Sequence, residues 1–446
     1  MTAEKISKKT YLLFLLLLLL LCTAGCNTTE PPDSPVPPVP ELKLELEDVS
    51  STEAWINLTT KDLTLPAELT LKQYNPTGDS ISKVLLLNTQ DTLLYIDSLL
   101  PNQTYKFHSV IQPINHSSNE ISVTTMDTTS HNFTFQTWTF GGTAGSSVLY
   151  DVAILDENNI IAVGEIMVAD SSPNGYTTYN AVHWDGNQWE LLRIPYRDFG
   201  NHIVYGPLRT VLAFSATDIW FCSYADLVHF DGSNYLSKAF FMTGSNFNGQ
   251  VSKMWGTDKN NIYCVGRSGS IYHYNGISWK KIESGTDIDI NDVWGIIDPI
   301  TNSRKVFCAV SFVLQLGEHK ILTLDENNKI DSLPWNTGRR VGSVWTSDGK
   351  NIYTGGGGVF QNKSGSWKEE TSIPLYYTNR VRGNALNDVF VGGDFGLLAH
   401  FNGVDWKVYQ EFLFSASSLS ITVNKDIIGA VGRFGESALI ILGKRN

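Results

Sequence analysis

Val251-Ser252-Lys253-Met254-Trp255-Gly256, Asn261-Ile262-Tyr263-Cys264-Val265-Gly266, Ser270-Ile271-Tyr272-His273-Tyr274-Asn275-Gly276 and Ser278-Trp279-Lys280-Lys281-Ile282 follow one another along one stretch of chain. Each run is short and rich in β-branched and aromatic residues, and each is bounded by Gly, Asn, Asp or Ser, so it reads as a strand between tight turns. Four such strands repeating every ~40–50 residues are the sequence form of a β-propeller blade.

The second strand of this unit recurs along the chain. It returns as Asn159-Ile160-Ile161-Ala162-Val163-Gly164, Asp218-Ile219-Trp220-Phe221-Cys222, Lys305-Val306-Phe307-Cys308, Asn351-Ile352-Tyr353-Thr354-Gly355, Asp388-Val389-Phe390-Val391-Gly392 and Asp426-Ile427-Ile428-Gly429. A Gly-x-x-Trp turn into the fourth strand recurs at Gly186–Trp189, Gly276–Trp279 and Gly403–Trp406, and is shortened to Gly365-Ser366-Trp367 in one unit. The repeats predict an all-β, seven-bladed propeller over residues 128–446. The last unit, however, runs out at Asn446 after three strands. Phe133-Thr134-Phe135-Gln136-Thr137-Trp138 alternates apolar and polar residues and ends on a tryptophan, so it is expected to supply the missing outer strand against Ala438–Leu442 and remove an exposed sheet edge.

Residues 42–127 carry a different pattern. Ala54-Trp55-Ile56-Asn57-Leu58, Leu69-Thr70-Leu71-Lys72 and Thr104-Tyr105-Lys106-Phe107 are short alternating runs between polar turns, the pattern of an antiparallel β-sandwich. Leu100-Pro101-Asn102-Gln103-Thr104-Tyr105 matches a corner at which the Tyr105 hydroxyl bonds back to the backbone. With Trp55 on the second strand, these features resemble a fibronectin type III domain, for which the expected role is a spacer. The junction Thr129-Ser130-His131-Asn132-Phe133 and the repeats after it resemble a family of secreted bacterial propeller proteins with a leading fibronectin type III domain. That resemblance implies an architecture and carries no catalytic signature.

The N-terminus reads as an export signal: Lys5, Lys8 and Lys9 precede an apolar run from Tyr11 to Cys22, too short for the ~20 residues of a spanning helix. Leu21-Cys22-Thr23-Ala24-Gly25-Cys26 resembles the lipobox of bacterial lipoproteins, departing from it in having Thr23 where leucine is usual. The resemblance implies removal of residues 1–25 and lipidation of Cys26. Each buried acyl CH₂ contributes about 0.8 kcal/mol, so several chains on one cysteine anchor a protein stably. Asn27 is not the aspartate that retains some lipoproteins in the inner membrane, so the resemblance implies an outer-membrane address in a Gram-negative cell. Residues 26–41, with Pro31, Pro32, Pro35, Pro37, Pro38 and Pro40, are expected to form an extended stalk.

The formal net charge of −12 argues against nucleic acid as a partner. Cys222, Cys264 and Cys308 have no metal-like spacing and read as buried packing residues. Asn-x-Ser/Thr triplets at Asn57, Asn102, Asn115, Asn132 and Asn362 carry no weight in a chain with a bacterial lipobox.

His183, His229, His273 and His400 recur at one place in four repeats, each followed by an aromatic residue and then Asp-Gly or Asn-Gly. A ring of imidazoles suggests a metal, but third-strand positions lie far from the axis, so a hydrogen-bonding role is expected and no metal or cofactor. Segments such as His183-Trp184-Asp185-Gly186-Asn187-Gln188-Trp189 are similar to the Asp boxes of sialidase propellers, with the aspartate displaced. Arg193-Ile194-Pro195 resembles the tripeptide that opens sialidase catalytic domains, but it follows an outer strand here. A sialidase-like glycoside hydrolase is therefore the alternative to the main reading.

Arg209, Arg339, Arg340, Arg380 and Arg382 fall in or just after the loops that join one repeat's outer strand to the next repeat's inner strand, and those loops share one face of the ring. Guanidinium groups gathered there would bind carboxylates or sulfated sugars bidentately, with Phe247, Tyr376 and Tyr377 offering aromatic surface. The sequence thus predicts a membrane-anchored cell-envelope binding protein, not an enzyme, with an envelope protein or glycan as its ligand.

Overall fold

The computed structural model describes residues 39–112, 115–198, 200–224, 226–239, 250–298, 301–312, 317–363 and 365–446. The expected export signal, Cys26, most of the proline-rich segment and Phe247 lie outside the described residues.

Alternation builds the first unit. Along Glu41–Val49, Leu42 and Leu44 are buried while Glu41, Lys43 and Glu45 face solvent, as the two-residue period of a strand requires. This strand pairs with Ala54–Lys61, which pairs with Asp91–Ile96 to make a three-stranded sheet. A second sheet orders Ser80–Leu87, Ala67–Tyr74 and Thr104–Ile111, with His116–Ser117 and Ile121–Thr124 on the last of these. Leu44, Ile56, Leu58, Leu69, Phe107 and Val123 fill the space between the sheets. The Tyr105 hydroxyl accepts a hydrogen bond from the Leu100 N–H at 2.8 Å, which fixes the corner as the sequence predicts.

Trp55 departs from the simple reading. Ala54, Ile56 and Leu58 take the inward face of their strand, so Trp55 points out of the sandwich. It is buried nonetheless, because with Tyr353 and Phe401 it lines the seam where the sandwich meets the rest of the chain.

From residue 133 onward the described residues form seven four-stranded antiparallel sheets. Their innermost strands are Val148–Asp156, Thr210–Ser215, Val251–Asp258, Ile290–Ile297, Val341–Thr346, Thr378–Ala385 and Leu419–Asn424. Each packs against the next, and the last packs against the first, so the sheets close into a ring. The seventh sheet is completed by Phe133–Phe140, which runs antiparallel to Ser437–Arg445 from Phe133 opposite Arg445 to Phe140 opposite Ala438. Phe135 packs edge-on to Tyr409 and Phe412 at 4.9 Å each, and Trp138 lies 5.5 Å from Trp184 and 5.8 Å from Trp189 in the first sheet.

Two recurrent devices hold the sheets. His183, His229, His273 and His400 each place Nε2 at 2.8–3.0 Å from a side-chain oxygen at the start of the second strand, respectively of Asn159, Asp218, Asn261 and Asp388. The hydrogen-bonding role expected of these histidines is what the geometry contains. In the turns after them, Asp185, Asp231, Asn275 and Asn402 accept backbone N–H bonds two and three residues on, at 2.7–3.1 Å. The following glycines 186, 232, 276 and 403 hold φ between +87° and +100°, a region open to glycine at little cost.

The seam between sandwich and ring is polar at its edge. Glu53 accepts from Tyr95 Oη and Lys363 Nζ, each at 2.6 Å, and Glu47 pairs with Lys350. Asn387 Nδ2 donates to the Asp127 carbonyl at 2.8 Å, and the Thr129 hydroxyl donates to the Asn387 carbonyl at 2.6 Å. Lys350, Asn351 and Asn387 lie in turns after the C-terminal ends of inner strands, so the sandwich sits on that face of the ring.

Within the seam, Asn351 Nδ2 donates to both Asp48 and Asp348, at 3.1 and 2.7 Å. Burial, and then the neighbouring Asp348, raise the Asp48 carboxyl to about 7. A carboxyl whose folded value lies above its unfolded value near 4 holds its proton more tightly when folded, so stability falls as pH rises through about 4 to 7. Asp48→Asn, which keeps the amide-like contact and removes the charge, is expected to raise the melting temperature near pH 8 and to flatten its dependence over that window. Thermal melts of both chains from pH 4 to pH 8 check this, with Asp348, Glu47 and Lys350 left in place.

Candidate functional site: an arginine- and tyrosine-lined mouth

The ring's axis is filled by one register position. Asp151, Thr210, Lys253, Asp292, Ser343, Arg380 and Ser420 stand opposite Val163, Cys222, Val265, Ala309, Gly355, Gly392 and Val431 of the adjoining strands. Two carboxylates organise them. Asp151 accepts from Thr210 Oγ1 at 2.8 Å, from the Val211 N–H at 3.0 Å and from Lys253 Nζ at 2.6 Å. Asp292 accepts from both terminal nitrogens of Arg382 at 2.9 and 2.7 Å, and Arg380 Nη1 lies 2.6 Å away. The Ser343 hydroxyl and the Val344 N–H complete its shell.

Charge settles these protonation states. Burial alone would raise the Asp292 carboxyl, but Arg380 and Arg382 outweigh it and hold the group below its ordinary value. Burial lowers the Lys253 ammonium to about 8, with Asp151 opposing the shift. Each carboxylate therefore has a cation two inner strands along the ring and a hydroxyl in between.

The residues just before this layer open into solvent. Tyr150, Arg209, Ser252 and Asn291, each one residue before an axial position, line a cavity of about 580 Å³ with Tyr224, Arg267, Asp289 and Arg380. A second hollow of about 480 Å³ shares Tyr150, Asn291 and Arg380 and adds Tyr377, Asn379 and Arg433. Together they form one mouth at the N-terminal ends of the inner strands, on the face of the ring opposite the sandwich. Among the described residues, four arginines line it against one carboxylate, Asp289.

The guanidinium of Arg209 is sandwiched between the rings of Tyr150 and Tyr224, at 3.9 and 4.3 Å from their centroids, and it donates to Tyr224 Oη. Such stacking contributes about 0.5–2 kcal/mol and fixes the plane of the group. Arg209 Nε, Arg380 Nε, Tyr377 Oη and Ser420 Oγ are buried atoms without a hydrogen-bond partner. An unmet buried polar atom costs about 1–3 kcal/mol, so several in one wall leave the polar groups of the mouth under-satisfied. Burial pushes the Tyr377 phenol up to about 12, against the pull of Arg340 and Arg380, so it stays a neutral donor.

The loop residues singled out in the sequence divide accordingly. Arg209, Tyr377 and Arg380 meet at the mouth, and Arg340 acts on the Tyr377 phenol from nearby. Arg339 is exposed on the loop that holds the indole of Trp335 through its carbonyl. Tyr376 belongs to an aromatic group at the rim. Arg382 is a correction: it sits within the strand Thr378–Ala385, 4 % exposed, with its guanidinium on Asp292 and 5.0 Å from the Trp294 ring centroid. It serves the axis, not a ligand at the mouth. Tyr150, Tyr224, Arg267 and Arg433 escape a reading confined to loop arginines, although alignment of the inner strands marks the residue before each axial position. Arg193 stacks on Tyr205 at 4.0 Å and Ile194 is clamped by Asn180, so that tripeptide is not part of the mouth.

No protein-family model matches the chain, and no curated protein does. Among solved structures it is similar to YCF48 bound to D1 peptide, at 14 % identity and TM-score 0.48 over 72 % of this chain and 97 % of that one. It is similar also to the WD40 β-propeller domain of Doa1, at 12 % identity and TM-score 0.47 over 70 % and 97 %. A third is the extracellular domain of a hybrid two-component system of B. thetaiotaomicron, at 12 % identity and TM-score 0.39 over 90 % and 69 %.

Proposed function

We propose that the chain is a lipid-anchored binding protein of the cell envelope, in which a seven-bladed propeller over residues 128–446 takes an anionic ligand at its arginine-lined mouth. Residues 42–127 are read as a fibronectin type III-like spacer, from their strand order and tyrosine corner. The observation that carries the reading is the open cavity lined by Arg209, Arg267, Arg380 and Arg433, with Asp289 the one carboxylate among its described lining residues. A carboxylate or sulfate complements such a lining, because arginine binds these anions with directional, charge-assisted bonds.

The anchor adds an orientation. Glu41 opens a nine-residue strand whose far end, at Glu47 and Asp48, touches the ring, so the chain enters the sandwich about 25 Å from the seam. A chain held at Cys26 therefore presents the mouth away from the membrane. Cys26→Ser is expected to move the protein from the membrane to the soluble fraction and to abolish incorporation of labelled palmitate. Membrane retention of that variant, with no label in the parent, would end the lipoprotein reading.

The binding claim is tested with an array of acidic glycans and acidic peptides, read with the parent chain and with Arg209→Gln. Loss of one charge-assisted contact is expected to weaken the best probe about tenfold or more. Equal binding by both chains would place the site elsewhere. Release of sugar from a fluorogenic sialoside by the parent chain would replace the binding reading with a sialidase-like hydrolase.

A further inference from the structure

The rim of the mouth carries an apolar cluster that anion binding does not explain. Tyr376 stands one residue before Tyr377 of the mouth. Its ring centroid lies 5.1 Å from that of Phe395 and 6.3 Å from that of Phe414, and the two phenylalanines are 6.1 Å apart. Phe414 is 72 % exposed, and Phe395 and Leu375 are at least half exposed. Large apolar side chains gathered in solvent beside a cavity mark an interaction surface more often than a structural one.

The backbone beneath them is strained. Phe395 and Phe414 hold φ of +58° and +62°, while the other non-glycine residues described with positive φ are Asn, Asp, Ser or Lys. For a bulky side chain that region is an outlier costing on the order of 1–3 kcal/mol, and no core burial of these rings offsets it. Their two loops are laced to hold them there: Asp394 bridges Ser418, the Phe395 N–H donates to the Ser417 carbonyl, and the Phe414 N–H donates to the Phe395 carbonyl. The cluster is thus fixed before any partner arrives, which removes the cost of ordering it on binding.

We infer that Leu375, Tyr376, Phe395 and Phe414 form a socket for a large apolar side chain of a peptide segment, whose neighbouring carboxylate is taken by the mouth arginines. The inference rests on the anionic-ligand reading above and adds the class of ligand. The charge of the mouth asks for a carboxylate, and the adjacency of Tyr376 to Tyr377 sets the socket at the edge of the mouth, so one short segment can reach both. A peptide is favoured over a glycan by the ring planes. The three pairs are inclined by 51° to 69°, so they make a faceted pocket and not the flat platform on which a sugar ring stacks.

The probe is a set of four fluorescent heptapeptide pools, capped at both ends, with the central pair fixed as Phe-Glu, Phe-Gln, Gly-Glu or Gly-Gln. Anisotropy with the full mature chain is expected to rank Phe-Glu first, by about tenfold over Gly-Glu, the worth of burying much of a phenyl ring. Phe395→Asn and Phe414→Asn together keep a left-handed backbone that asparagine tolerates. They are expected to hold or raise the melting temperature while lowering Phe-Glu binding to the Gly-Glu level. Arg209→Gln should instead bring Phe-Glu down to Phe-Gln.

Unchanged Phe-Glu binding by the asparagine variants, with Arg209→Gln still losing the preference for Glu, overturns the socket and leaves the anion site standing. Equal binding of Glu and Gln pools by the parent chain overturns the anion site itself. A fall in melting temperature in the asparagine variants makes the phenylalanines structural, and tighter binding of an acidic glycan than of any pool overturns the peptide assignment.

Discussion

Asp292→Ala is expected to destabilise the ring by about 3–5 kcal/mol, the usual loss when one partner of a buried charge pair is removed. Asp292 is fully buried, accepts from Arg382, Ser343 and the Val344 N–H, and forms an ion pair with Arg380. Without it, two guanidinium groups would remain inside the ring with no counter-charge. Replacing the same carboxylate together with both arginines by apolar residues of similar volume is expected to recover most of the loss, because the penalty lies in the unpaired charges. Urea unfolding of the single and triple variants separates these outcomes. The pH dependence follows the same charges: a carboxyl held below its unfolded value contributes stability that is present above about pH 4 and is lost as pH falls further toward the folded value.

A chain beginning at Thr143 is expected to melt far below one beginning at Thr128, or not to fold. The missing segment would include Phe133–Phe140, which pairs along the whole of Ser437–Arg445 and is the outer strand of the last sheet. Its loss would expose the Ser437–Arg445 edge, uncover Tyr409 and Phe412, and take Trp138 from the tryptophans of the first sheet. The strand joins the two ends of the ring, so the damage would not stay local as fraying of a terminus does. Differential scanning calorimetry of the two chains measures it, and equal melting temperatures would mean that the ring is stable with that sheet open.

The strands were legible because their turns are written in the sequence. Asp-Gly or Asn-Gly between an aromatic residue and a tryptophan specifies a tight turn, and the second-strand repeats give the period. The missing fourth strand could be placed by arithmetic on the repeats. Less could be read where the function of a residue depends on its depth or its face within a strand. Arg380 and Arg382 look alike beside a loop, yet their strand begins at Thr378, so both meet Asp292 and only Arg380 also lines the mouth. Trp55 fits the second strand of a sandwich in name, but its neighbours Ala54 and Ile56 hold the inner face and turn it toward the ring.

The mouth itself was half visible. Its arginines could be counted in the loops, whereas Tyr150 becomes a partner of Arg209 only when separate repeats are brought together around the axis, and Tyr224 only when the strands of Arg209's own sheet pair. The axial charges have a signal that alignment of inner strands would expose: Asp, Thr, Lys, then Asp, Ser, Arg at one register position. The rim phenylalanines have none, because a left-handed backbone at Phe395 and Phe414 is set by the lacing of two loops and not by local preference.

Amide hydrogen exchange of the protein, with and without the Phe-Glu peptide pool, tests most directly whether ligand is taken at this mouth. Slower exchange confined to residues 148–150, 208–210, 376–380, 393–397 and 414–418 is the result expected. Protection at the seam residues 350–351 and 387, protection within the sandwich, or none at the mouth would contradict it.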